Sequence, residues 1–222
     1  MKKTARLWCP GVDQEMRNFG QQFITNFGLD GTLYAGGQGG LGDFVPQAKL
    51  WILCHGHARM PRFTTSAGRW SAPELAALLA ADGLPKAQRD IELLVCHAGE
   101  SVNSKANAKR LLGLQAKADR HKARGRQIPA GLQAKYKKAS AAGQQPQFYE
   151  SAANASALLL PMAAQLSQAL KDEGFTHFRL ISYKAPVSMY SHGQRVHVDL
   201  SARGGRWGTP ITEAPEYRAI WH

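Results

Sequence analysis

Two short apolar runs, each followed at once by a Cys-His pair, stand out in the pattern of hydrophobic and polar positions. Residues 50–53 lead into the pair at 54–55, and residues 91–95 lead into the pair at 96–97. Short apolar runs that end in glycine-containing turns are typical of buried strands. The pattern therefore predicts two strands whose ends carry thiols and imidazoles.

A helix is predicted between these strands, over residues 73–81. Ser71 and Glu74 have the spacing of a capping box, in which each side chain satisfies a free backbone donor at the start of a helix. Strand, helix and strand together form a βαβ unit, in which both strands point the same way. We expect their carboxyl ends, where open α/β sheets keep their active sites, to lie side by side.

Further elements are predicted on either side of this unit. The spacing of apolar positions favours a helix over residues 13–23, a second one from residue 158 to 170 that stops at Gly174, and a strand over residues 175–183. A β-hairpin is predicted from residues 187–190 and 195–200. The expected fold class is α/β, with a central, mostly parallel sheet and a C-terminal hairpin.

Residues 37–42 formally match the glycine fingerprint of a dinucleotide-binding loop. No convincing strand precedes them, and Pro46 followed by an apolar run replaces the helix that a pyrophosphate needs. We therefore interpret this stretch as an ordinary loop.

Composition and charge narrow the class of protein. The chain has 222 residues, of which 44% are apolar, so it is long enough for one α/β domain, residues 1–222, with an appendage. Its net charge of +12 predicts attraction to polyanions. Three cysteines favour a reducing compartment over a disulfide framework. With no signal-peptide core and no apolar run of spanning length, we expect a cytoplasmic protein, or one that a dedicated system secretes into a host or target cell.

Most of the positive charge lies in one segment, residues 105–138, which contains a single acid, Asp119. We interpret it as a basic helical hairpin broken near Gly125 and Pro129, within an insertion that spans residues 102–150. Its role is either that of a solvated face or that of a docking surface for a polyanion, an inositol phosphate or a nucleic acid.

The two Cys-His pairs suggest nucleophilic chemistry. An imidazole can take the proton of a nearby thiol, and the thiolate then attacks a carbonyl carbon. Cys96 is the candidate nucleophile and His55 the candidate base, while Cys54 is expected to point away from His55 into the core. The amides of Gly56 and Cys96 are candidates for an oxyanion hole.

These residues resemble a known family. Residues 53–56 (Leu-Cys-His-Gly) and 94–96 (Leu-Val-Cys) are similar to the two strand-end signatures of caspase-like (clan CD) cysteine peptidases. The closest likeness is to the autoprocessing cysteine protease domain of multifunctional RTX toxins, to whose motifs residues 71–75, 193–195 and 205–207 are also similar. The likeness covers roughly residues 49–101 and 159–207.

The resemblance implies a caspase-like three-layer sandwich and a cysteine endopeptidase of the effector or toxin type, acting on a protein substrate. It makes His55 and Cys96 the catalytic dyad and implies no required cofactor or metal. It also implies activation by inositol hexakisphosphate, with Lys184 and Arg195 in the anion-binding region.

Two alternatives stay open from the residues alone. The Cys and His side chains at 54–57 and 96–97 are of the types that bind zinc, although their spacing matches no common zinc motif. The basic segment 105–138 would also suit a nucleic-acid-binding module without protease activity.

Overall fold

The computed structural model describes residues 5–29, 31, 33–57, 60–99, 105–140, 160–188, 196–201 and 204–222. The chain divides into two compact units. One comprises Met1–His57, Arg62–Glu100 and Met162–His222, and the other comprises Ala58–Pro61 and Ser101–Pro161.

The secondary structure mixes strands and helices throughout. In chain order the strands are β1 (Ala5–Cys9), β2 (Leu33–Ala35), β3 (Lys49–Leu53), β4 (His55–His57), β5 (Met60–Thr65), β6 (Gly68–Trp70), β7 (Asp90–Leu94), β8 (Arg179–Tyr183), β9 (Val187–Ser188), β10 (His197–Val198), β11 (Thr209–Pro210) and β12 (Arg218–Trp221). The helices are α1 (Gln14–Phe27), α2 (Ala72–Ala81), α3 (Lys105–Ala123), α4 (Ala130–Ser140) and α5 (Met162–Asp172). No helix in the described part of the chain is long and apolar enough to cross a membrane.

A six-stranded sheet in the order β2-β1-β3-β7-β8-β12 forms the centre of the first unit. All of its neighbouring strands run parallel except β12, which is antiparallel to β8. The predicted βαβ unit is confirmed, because β3 and β7 are parallel neighbours joined through α2. The prediction of a mostly parallel central sheet is likewise confirmed.

Helices cover both faces of this sheet, which gives three layers. Alternate strand residues face opposite ways, so Leu50 and Ile52 pack in the cluster that contains α2 and α5. Trp51 and Leu53 pack in the cluster that contains α1 and the small sheet β9-β10-β11. We call these the α2 face and the α1 face.

Capping residues define where the helices begin and end. Asp13 caps α1 by accepting from the Met16 amide at 2.7 Å. The predicted capping box of Ser71 and Glu74 is confirmed at the start of α2. The predicted stop after α5 is also confirmed, since Gly174 takes the left-handed φ of 87° that glycine tolerates.

The second unit contains the predicted basic helical hairpin, in which α3 and α4 pack against each other. Gly125 ends α3 with φ 62°, and the Arg126 amide reaches back to the His121 carbonyl at 2.9 Å. This hydrogen bond belongs to the Schellman motif that commonly closes a helix. The predicted break near Gly125 and Pro129 is therefore confirmed.

Several sequence-based predictions need correction. The stretch 59–70, for which no strand was predicted, contains β5 and β6, which pair across a turn at residues 66–67 and bury Phe63. The strand predicted over 175–183 begins only at Arg179, and the helix predicted over 13–23 extends to Phe27. The predicted hairpin is antiparallel where it is described, with Val187 opposite Val198.

Candidate active site

The register of the central sheet brings the two Cys-His pairs to the same edge. Leu53, the last residue of β3, lies opposite Leu94, the last residue of β7. His55 lies two positions after Leu53, and Cys96 lies two positions after Leu94. Because Leu53 and Leu94 both belong to the α1 face, alternation directs the His55 and Cys96 side chains to that same face.

Gly56 brings the two segments into direct contact. A Cβ atom at this position would overlap the carbonyl oxygen of Cys96 and would lie 2.5 Å from Cγ1 of Val95. Only glycine lets the backbones approach this closely. The backbone after His55 is therefore packed against the backbone of Cys96, as a site shared by these residues requires.

His55 is held from the α1 side. Its Nε2 lies 3.4 Å from Oε2 of Glu15, in the first turn of α1. The Phe19 ring meets the imidazole edge-on, with 6.5 Å between ring centroids. The His55 side chain is 42% exposed, so one side of the imidazole remains open to solvent.

Cys96 lies in a more enclosed position. Its Sγ is 4.0 Å from the carbonyl oxygen of Val187, the first residue of β9. Burial raises the pKa of the Cys96 thiol, and the negative charge of Asp199 adds to that rise. The thiol is therefore protonated near neutral pH, and forming the thiolate requires a base or a change in its surroundings.

No hydrogen bond between the Cys96 thiol and the His55 imidazole occurs within the described residues; the described contacts of His55 go to Glu15 and Phe19. The structure brings the two backbones together and aims both side chains at one face. In ligand-free enzymes a nucleophile and its base are often farther apart than in the substrate complex.

The turn after β7 holds Cys96 in place. His97 has a φ of 58°, in the left-handed region that few residues other than glycine adopt. The His97 amide donates to the Ala185 carbonyl at 3.2 Å, and the Gly99 amide donates to the Tyr183 carbonyl at 2.9 Å. Strained backbone of this kind is enriched at functional sites.

The other two cysteines are buried structural residues. Cys54 is 4% exposed and packs on the α2 face, opposite to His55, as predicted. Cys9 ends β1 and is fully buried. Burial raises the pKa of Cys9 to about 11 and that of Cys54 well above its ordinary value. Cys96 is the one cysteine of the chain that is not fully enclosed.

The glycine-rich loop at residues 37–42 is occupied by a carboxylate of the chain itself. The amides of Gly37 and Gly39 both donate to the Asp82 side chain at 3.1 Å, and the Trp8 indole donates to it at 2.7 Å. Asp82 thus fills the anion position that a pyrophosphate would need, which agrees with the interpretation of this stretch as a loop and not a nucleotide site. The expectation that no strand precedes the loop is wrong, because β2 ends at Ala35, just before it.

The remaining candidate residues are less fully described. Lys184 donates from Nζ to the Glu216 carbonyl at 3.0 Å, whereas Arg195 lies outside the described residues. The backbone of His57 belongs to β4, but its side chain is not described. Within the described ranges, no three His, Cys, Asp or Glu side chains are grouped to hold a metal ion.

Comparisons with known proteins do not identify a family. No family model matches the chain, and no curated protein matches it. The residues and their geometry therefore carry the functional argument alone.

The sequence did not indicate three residues that the structure brings to this site. Glu15 approaches the imidazole, Val187 lies beside the sulfur, and Asp199 contributes negative charge near it. Glu15 lies in the first turn of α1, two positions after the N-cap Asp13, where an acid is ordinarily explained by the helix dipole. Only the packing of α1 on the sheet shows that Glu15 also approaches His55.

Proposed function

We propose that this protein is a cysteine endopeptidase in which Cys96 is the nucleophile and His55 the general base. The observation that carries the proposal is the contact of Gly56 with the Cys96 backbone at the carboxyl edge of β3 and β7. This contact supports a shared site because His55 and Cys96 follow neighbouring strands and face the same way.

The mechanism follows from the chemistry of these two groups. His55 takes the proton from Cys96, and the thiolate attacks the carbonyl carbon of a peptide bond. The negative charge that develops on the carbonyl oxygen is stabilised by the Gly56 and Cys96 amides. As the C–N bond breaks, His55 returns the proton to the leaving amine, and a thioester remains on Cys96. Water then hydrolyses the thioester, with His55 again acting as base.

Glu15 acts as a positioning residue in this scheme. During the reaction His55 becomes positively charged, and a carboxylate 3.4 Å from Nε2 stabilises that form and keeps the ring oriented. Because Glu15 is 57% exposed, its contribution is limited by solvent screening.

The proposal includes the caspase-like form of the three-layer sandwich and the role of an effector or toxin-type protease. In that role the chain works in the cytoplasm, or in a host or target cell after secretion by a dedicated system. The supporting features are the parallel arrangement of β1, β3, β7 and β8 and the placement of the Cys-His pairs after the carboxyl ends of β3 and β7.

An anionic activator, inositol hexakisphosphate, is part of the same proposal. The Cys96 thiol is enclosed, and burial raises its pKa. A protonated, enclosed nucleophile is what we expect of a resting enzyme that a ligand must activate. Lys184 lies three positions before Val187, the β9 residue whose carbonyl oxygen is beside the sulfur, so an anion bound at Lys184 would act on the wall of the site. A thermal-shift titration with inositol hexakisphosphate at low salt should raise Tm; no shift at any concentration removes the activator.

Proteolysis of an unfolded protein substrate tests the proposed activity. Wild-type protein, with and without inositol hexakisphosphate, should cleave reduced, carboxymethylated casein. Cys96→Ala and His55→Ala should each reduce cleavage by at least about 10³-fold. Cys54→Ala is the matched control. Because Cys54 faces away from His55, this variant should cleave casein as fast as the wild-type protein. Cleavage that persists in His55→Ala contradicts the assigned dyad.

A further inference from the structure

The charge of this protein is concentrated in one structural unit. Residues 105–140 contain eleven lysines and arginines against one acid, Asp119, and so carry +10 of the net charge of +12. The rest of the chain is close to neutral. Such segregation indicates that the helical hairpin, and not the sheet unit, is the part that attracts polyanions.

Three of the charged side chains and one imidazole lie along one side of α3 and the turn that follows it. Lys117, Arg120 and His121 belong to α3 and Arg124 comes directly after its last residue, at the i, i+3, i+4, i+7 spacing that places the four in a row. Like-charged neighbours on a helix repel each other, so this arrangement does not help the hairpin to fold. It does present several donors to a single extended anion.

This row lines a groove between α3 and α4. The groove encloses about 380 Å³, and Lys135 of α4 adds a fifth basic side chain from the opposite side. Leu114, Pro129 and Leu132 are the apolar residues that line it. Lys117, Arg120, Arg124 and Lys135 are all exposed, so their charged groups are available to a ligand.

The chemistry of the groove favours duplex nucleic acid over other polyanions. Single strands are usually bound through aromatic side chains on which bases stack, and Tyr136 is the one aromatic residue between 105 and 140. Membrane-surface helices insert a bulky apolar face into lipid, whereas Leu114 is buried in the hairpin with 8% exposure. A duplex instead offers a continuous row of phosphates, about one charge per 1.7 Å of axis.

We propose that the groove between α3 and α4 binds the phosphate backbone of duplex nucleic acid without reading its sequence. Lysine and arginine side chains on both walls contact phosphates, and binding releases counterions. If about four phosphates are neutralised, the slope of log affinity against log salt is about −3.6, and affinity falls roughly 100-fold between 50 and 200 mM salt. This binding is independent of the proposed peptidase chemistry.

The experiment is fluorescence anisotropy of a labelled 20-base-pair DNA duplex with full-length Cys96→Ala protein, measured over a series of salt concentrations. The test variant is Lys117→Gln/Arg124→Gln, since glutamine keeps helix propensity close to that of lysine and arginine. The matched control is Arg69→Gln/Lys171→Gln, which removes the same charge from exposed positions of the sheet unit. A second test pair, Arg120→Gln/Lys135→Gln, removes one charge from each wall.

Each test pair should weaken binding about thirty-fold at 150 mM salt and should make the salt slope shallower by about 2. The control pair should change neither quantity appreciably. Equal losses in test and control pairs would overturn the proposal, because binding would then depend on overall charge. Absence of duplex binding at 50 mM salt, or hairpin-dependent binding of vesicles containing phosphatidylserine without duplex binding, would also overturn it.

Discussion

Replacing Gly56 by alanine tests whether the contact between β4 and Cys96 builds the site. The added methyl group would overlap the Cys96 carbonyl oxygen and would stand 2.5 Å from Cγ1 of Val95. Normal carbon–carbon contact is about 3.5–4.0 Å, so one of the segments must move by roughly 1 Å. Such overpacking typically costs about 1–3 kcal/mol.

The same displacement should affect catalysis more than stability. A misplacement of about 1 Å between reacting groups can reduce the rate about 100-fold. We therefore expect Gly56→Ala to lower kcat/KM by about two orders of magnitude, while Tm falls by about 4–8 °C for a loss of about 2 kcal/mol. Casein cleavage and thermal unfolding of the same preparation supply both numbers.

Gly42→Ala provides the matched control, because a Cβ at Gly42 meets no atom within 4 Å. It should leave both the activity and Tm of the protein nearly unchanged. If Gly56→Ala behaves like Gly42→Ala in both assays, the close packing of β4 against Cys96 is not what positions the dyad, and the argument for the site is wrong.

Three further predictions concern the carboxylate beside His55, a buried cysteine and a buried ion pair. Glu15→Gln should lower kcat about two- to fivefold without changing KM, because an exposed carboxylate near His55 contributes about 1 kcal/mol or less; an unchanged kcat removes its positioning role. Burial raises the pKa of Cys9 to about 11, so the folded state keeps a proton that the unfolded chain loses above pH 9. The free energy of unfolding of the wild-type protein should therefore fall by about 2 kcal/mol from pH 8 to 10.5 in urea titrations. It should fall by less in Cys9→Ala, and an equal fall in both proteins would contradict the role of Cys9. Lys49→Met should cost about 2–3 kcal/mol, because Glu92 is 4% exposed and loses a partner at 2.7 Å. The double variant Lys49→Met/Glu92→Gln should recover part of the lost stability in the same titrations, because it no longer buries an unpaired carboxylate. If no stability is recovered, the buried charge of Glu92 is not the cause of the loss.

The elements that form the candidate site could be predicted because each has a strong local signal. The apolar run of β3 is unbroken from Leu50 to Leu53, and that of β7 is interrupted at Glu92 alone. The capping box before α2 depends on side chains only three positions apart. Parallel pairing of the two strands then follows from the helix between them.

Elements that depend on distant partners could not be predicted in the same way. In β1, Arg6 interrupts the apolar pattern, and its charge is satisfied by Asp43 at 2.6 Å, 37 positions away. β12 lies at the end of the chain and pairs with β8 through a register that no local pattern indicates. The approach of Glu15 to His55 likewise depends on how α1 packs on the sheet.

Covalent labelling by a mixture of peptidyl acyloxymethyl ketones, mapped by mass spectrometry, tests whether Cys96 and His55 form a catalytic dyad. We expect an adduct on Cys96, none on the buried Cys9 and Cys54, and labelling at least about tenfold slower in His55→Ala. An intact protein that forms no adduct on Cys96 with or without inositol hexakisphosphate, or labels equally fast without His55, would contradict the dyad.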